Sequence, residues 1–192
     1  MRVFFKVLLC LLCVTVQSVY AQDSSVIKFK GIPVSGHISN MVEELKKQGY
    51  TLKELNNTSA LLNGKFANET CDIIVYATAT SKQVYSILVV FGKQSSWYSL
   101  KSEYLRIKNM VKDKYNVSPD ATEKFYSPYY EGDGYEMQAL SRDKCAYFST
   151  FDIDNDKIGV YILTNKVLLN YENSANKLLD KREEDSKAYS DL

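Results

Sequence analysis

Asp72-Ile73-Ile74-Val75-Tyr76-Ala77-Thr78-Ala79-Thr80-Ser81-Lys82-Gln83-Val84-Tyr85-Ser86-Ile87-Leu88-Val89-Val90-Phe91 decides the fold class of this chain. Its two ends, 72–79 and 83–91, are dense in β-branched and aromatic residues, which suit a pleated strand. Thr80-Ser81-Lys82 between them is a short polar turn. Strands joined this tightly fold back on each other, so the pairing is antiparallel. A period of two places Tyr85, Ile87, Val89 and Phe91 on one face of the second strand.

The same reading extends toward the N-terminus. Tyr50–Leu55 and Ala60–Phe66 are two further strands, separated by Asn56-Asn57-Thr58-Ser59. Before them a helix is expected near 36–48, where Ile38, Met41, Val42 and Leu45 fall on one apolar face. Lys46 and Lys47 suit its C-terminal dipole, and Gly49 suits its end. Residues 26–30 read as a strand stopped by Gly31-Ile32-Pro33.

Toward the C-terminus a second helix is expected over about 98–114, with Leu100, Tyr104, Ile107 and Val111 as its stripe. A long aromatic loop follows over 116–134. The strands Tyr135–Leu140, Ala146–Ile153, Lys157–Leu163 and Lys166–Tyr171 come next, then a short helix over about 174–184. Leu178 and Leu179 are nearly the only apolar grip of that helix, which implies weak docking. The expected class is α+β, a mostly antiparallel sheet with two main helices packed on it. The order suggests a duplicated helix-plus-four-strand unit, with halves 26–92 and 97–172.

The chain has 192 residues, 45% of them hydrophobic and 24% charged, which is an ordinary globular composition. With 24 Lys+Arg against 23 Asp+Glu it lacks the basic surplus of a nucleic-acid binder. Arg2 and Lys6, the apolar run Val7–Val16 and Val19-Tyr20-Ala21 have the layout of a signal peptide over 1–21. The expected mature domain is 22–192, exported and periplasmic or secreted. No second apolar stretch is long enough to span a bilayer, so no transmembrane segment is expected after processing. Processing would remove Cys10 and Cys13. An exported chain left with Cys71 and Cys145 is expected to join them in one disulfide.

Catalytic signals are sparse. His37, the single His, stands beside Gly36 at a helix start with no other candidate ligand next to it. Asp152-Ile153-Asp154-Asn155-Asp156 has the alternating acids of a calcium loop. Lys157 then stands where that loop needs Gly, and Leu163 where it needs Glu. A hairpin turn fits better. Glu131-Gly132-Asp133-Gly134 lacks the Lys-Ser/Thr and preceding strand of a phosphate loop. Neither a metal nor an organic cofactor is implied.

Aromatic content is the unusual feature, with 15 Tyr, 8 Phe and 1 Trp. Phe125, Tyr126, Tyr129, Tyr130 and Tyr135 crowd one loop. Trp97 stands at the entrance to the second helix. Trp97, Tyr126, Tyr129 and Tyr130 are the candidate contact surface for a protein or glycan partner, since loop aromatics give large amphipathic area at low entropy cost. The competing reading has these rings capping the sheet internally. The leading function is a non-catalytic binding module outside the cytoplasm. The alternative is a carboxylate-based hydrolase, because Asp and Glu are the only abundant acid/base groups.

Phe29-Lys30-Gly31-Ile32-Pro33-Val34-Ser35-Gly36, together with Gly64-Lys65-Phe66, Ile158–Ile162 and Val167–Tyr171, resembles small exported proteins of Bacteroidota. The helix-plus-four-strand order is similar in outline to the β-lactamase-inhibitor-protein architecture. The resemblance implies a periplasmic or secreted bacterial protein. It transfers no functional residue, and the likeness of architecture carries no function with it.

Overall fold

The computed structural model describes residues 26–190. The expected signal peptide and its cleavage point lie outside them. A hairpin comes first, β1 (Lys28–Phe29) with β2 (Ile32–Pro33). Lys30 and Gly31 form its turn at φ 52° and 83°, a left-handed pair that glycine makes easy. Helix α1 (Ile38–Lys47) follows. The His37 imidazole caps it by accepting from the Ser39 N–H, and that capping bond is the role the structure gives to the single His.

Four strands come next: β3 (Thr51–Leu55), β4 (Ser59–Phe66), β5 (Glu69–Ala77) and β6 (Val84–Val90). Helix α2 (Trp97–Tyr115) begins the second half, with Ser96 as N-cap and Asn116 closing it in a left-handed conformation. Then come β7 (Asp120–Phe125), α3 (Glu136–Ser141), β8 (Cys145–Ile153), β9 (Asp156–Leu163) and β10 (Lys166–Glu172). Helix α4 (Ser174–Ser190) ends the described chain.

All strands from β3 onward join one antiparallel sheet, in the order β3-β4-β5-β6-β10-β9-β8-β7. Each helix-plus-four-strand half is a meander, and the halves meet where the last strand of each pairs, β6 with β10. Both main helices lie on the same face. Helix α1 packs on β3, β4 and β5, and α2 on β8, β9 and β10. Their buried stripes are the ones their spacing indicates: Ile38, Met41, Val42 and Leu45 in α1, and Leu100, Tyr104, Ile107 and Val111 in α2. Beneath them the inward residues form one core. Phe29 of the hairpin is fully buried in it, stacked on Phe66 at 5.3 Å and edge-on to Tyr171 at 5.4 Å.

Four expectations are corrected. Segment 116–134 is not all loop, because 120–125 pairs with β8 as the edge strand β7. Tyr135–Leu140 is not a strand but the short helix α3. Tyr85 does not share a face with Ile87, because it is the extra residue of a bulge: Ala77 pairs with Val84, whereas Tyr76 pairs with Ser86. The disulfide is absent, and Cys71 and Cys145 are both free thiols. They sit on β5 and β8, with β6, β10 and β9 between them. Four strand spacings place them about 19 Å apart, whereas a disulfide needs Cα atoms within about 7 Å.

The C-terminal helix is longer than expected and held mainly by polar groups. Asn173 caps its start by accepting from the Asn176 N–H. The Glu183 carboxylate accepts from the Thr80 N–H at 2.6 Å and from the Ser81 hydroxyl, so α4 braces the β5–β6 turn. Among the described residues no helix is long and apolar enough to cross a membrane.

Candidate functional site

The four candidate residues separate into two environments. Trp97 is 8% exposed and packs edge-on against Phe125 at 5.1 Å and Tyr147 at 4.8 Å. Its indole N–H donates to Glu131 at 3.3 Å, and the Tyr147 hydroxyl donates to the same carboxylate at 3.0 Å. Lys101 pairs with Glu131 as well. The hydrogen bond from Lys101, with those from Trp97 and Tyr147, holds the Glu131 carboxyl below the usual range despite its partial burial. Trp97 is therefore a core ring whose polar edge ties α2 to the aromatic loop.

Tyr126 and Tyr130 are 42% and 65% exposed, and Tyr129 is half-buried with its hydroxyl accepting from Arg142. The loop carrying them is braced locally. Asp133 accepts from the Tyr130 and Tyr135 N–H groups, and Glu136 from that of Gly132. The tyrosines reach solvent, but Trp97 does not join them in one surface.

A larger aromatic surface lies on the sheet face opposite the two main helices. Register fixes its rows. One row runs Asp72, Val90, Leu168, Tyr161, Phe148, and the next runs Leu61, Ile74, Leu88, Asn170, Gly159. Tyr76 belongs to a third row, and the bulge turns Tyr85 onto the same side, where the two rings stack at 6.3 Å and 20°. Lys177 of α4 places its ammonium 4.3 Å from the Tyr85 ring centre, closing one end of the face with a cation–π contact.

Gly159 shapes the centre of this face. A Cβ there would overlap the ring and hydroxyl of Tyr161, two residues along the same strand. The ring therefore lies flat over the glycine and turns its other side to solvent. Around it, Tyr76, Tyr85, Leu88 and Leu168 line a shallow trough of about 330 Å³ with Asn170 and Glu172. Phe148 is 40% exposed beyond it.

Sequence spacing did not single out these residues, although one signal was present. Ile73-Ile74-Val75-Tyr76 and Ile158–Leu163 are nearly continuous apolar runs. A sheet covered on one face usually alternates apolar and polar residues. Continuous runs in an antiparallel sheet mean that the second face is apolar too.

Acidic side chains come near one another in two places. Glu69 and Glu103 converge, but Arg106 binds both, at 2.5 and 2.7 Å. Burial and the Glu103 charge push the Glu69 carboxyl up, while Arg106 opposes them. The acids of the β8–β9 turn diverge. Asp152 pairs with Lys157, while buried Asp156 accepts from the Ile27 and Ser174 N–H groups. Among the described residues no group of three or more His, Cys, Asp or Glu side chains is placed to hold a metal. No family model, curated protein or solved structure matches the chain.

Proposed function

We propose that this chain is a non-catalytic binding module, acting outside the cytoplasm, that docks a partner protein on the open face of its sheet. One observation carries this reading: a contiguous aromatic and aliphatic face, built from half-buried residues, with neither main helix covering it. A contiguous apolar patch of a few hundred Å² is the size at which such patches are often functional. From β4 to β8 the face crosses five strand spacings, about 24 Å, and seven-residue strands make it about 20 Å long. That area, about 480 Å², is somewhat more than half of what one partner contributes to a standard protein interface. Action outside the cytoplasm rests on the signal-peptide layout of residues 1–21. The exposed tyrosines of the aromatic loop lie beyond the rows named above, Tyr126 beside Lys124 at the β7 edge.

The test is a pull-down from the envelope and secreted fractions of the producing cell with two variants. Leu168→Glu places a charge at the centre of the face, and Tyr126→Ala/Tyr130→Ala strips the loop. Partner capture lost in the first and kept in the second, both with unchanged melting temperature, supports the reading. Equal capture by the folded Leu168→Glu variant would contradict it.

A further inference from the structure

On the helix side, α1 and α2 stand over different halves of the sheet and leave a gap above the central strands. The gap is a cleft of about 230 Å³, floored by Leu169 and Tyr171 and walled by Phe66, Ile107 and Val111. It is separate from the open face described above, because Leu169 and Tyr171 point to the opposite side of β10 from Leu168. The walls are apolar, but three polar groups also border the cleft.

Lys30, in the β1–β2 turn, and Lys114, in the last turn of α2, both line the cleft. Among the described residues neither makes an ion pair, and Lys114 rests 4.9 Å from the Tyr115 ring centre. The third feature is the Tyr171 hydroxyl. Tyr171 is 4% exposed, yet its hydroxyl makes no hydrogen bond among the described residues and is not sealed from solvent. A buried phenol normally finds a partner. Here the cleft that Tyr171 lines is its opening.

We infer that this cleft binds an apolar carboxylate, the chain of a short or medium-length fatty acid in the gap and its head group between Lys30, Lys114 and the Tyr171 hydroxyl. A space of 230 Å³ holds about eight water-sized groups, enough for most of an eight-carbon chain. The lysines supply charge-assisted donors for the head group, and the phenol supplies a neutral one. An uncharged ligand of the same shape would use the walls and leave these donors unmatched. A cation would meet two like charges at the mouth.

Isothermal titration calorimetry of the mature chain with octanoate, and with octan-1-ol as its uncharged counterpart, tests the inference. Octanoate binds one to one, and octanol about tenfold more weakly or worse. Lys30→Gln/Lys114→Gln and Tyr171→Phe each weaken octanoate by about tenfold. Val111→Phe, which fills the cleft with a larger apolar ring, abolishes binding while the chain still melts cooperatively. No saturable octanoate binding at millimolar concentration would overturn the inference. So would octanol binding as tightly as octanoate, unchanged affinity in Tyr171→Phe, or unchanged affinity in a folded Val111→Phe chain.

Discussion

Gly159 and Tyr161 make the sharpest residue-scale statement about the open face. Glycine inside a strand weakens it by roughly 0.5–1 kcal/mol relative to alanine, so its presence calls for a local reason. The reason here is space for the Tyr161 ring. In Gly159→Ala the ring must swing away from the strand. Stability measured by chemical denaturation should stay within about 1 kcal/mol, because the lost ring contact and the gained strand propensity oppose each other. Partner capture should fall. Unchanged capture would mean that the flat ring is not used.

The aromatic loop separates just as sharply. Trp97→Ala removes a buried ring and should cost about 3–5 kcal/mol. Tyr126→Ala and Tyr130→Ala should each change stability by no more than about 0.5 kcal/mol. Glu131, which holds the Trp97 indole, also makes an acid-sensitive contact. Its carboxyl is held below the usual range, so its stabilising share is complete above the ordinary carboxylate pKa. That share is lost as pH falls through the lower folded value. The effect is small, because the carboxylate is 43% exposed and screened by solvent. Trp97 fluorescence during acid titration checks it. Glu131→Gln should remove the acid-dependent step and leave the rest of the unfolding curve in place.

At the scale of elements, the two cysteines test the strand order. Burial pushes both thiols up to about 12, so at neutral pH they are protonated and slow to react. A thiol assay on unreduced chain 22–192 should give two reactive groups after denaturation and little before it. No reactive group after denaturation would require a disulfide and a different strand order. The disulfide expectation rested on compartment and an even count, and neither contains the distance between β5 and β8. Helices α1 and α2 were legible because their apolar residues recur at helical spacing and pack where that spacing points. Strand β7 was not. As an edge strand it carries Asp120, Glu123 and Lys124, charges that protect an open edge and make its sequence read as loop. Helix α3 buries only Ala139 and Leu140, too little to show a period. The bulge at Tyr85 was invisible for a similar reason. One extra residue reverses the facing of a side chain without changing the composition around it. Helix α4 is short of apolar grip, as Leu178 at 58% exposure shows, yet Glu183 and Asn176 tie it to the β5–β6 turn and to Val84. Removing the Glu183 carboxylate by Glu183→Ala should speed amide exchange in α4 and the turn at 80–81, while β9 and β10 stay protected.

At the scale of the whole molecule, two meanders joined through β6 and β10 create two surfaces of different character. The helix side holds the core and a narrow charged-mouthed cleft. The other side is a largely apolar face that neither main helix covers and that α4 closes at one end. Glu69 and Glu103 come together around Arg106, which binds both. The apolar face gives the proposed binding module a concrete site. The most direct measurement is photo-crosslinking in the producing cell. A photoreactive phenylalanine analogue replaces Phe148 on the open face in one chain and Tyr98 on the helix side in another, both solvent-exposed positions. The account predicts a discrete adduct to a partner protein from position 148 and none from position 98. Adducts from position 98 alone would contradict it.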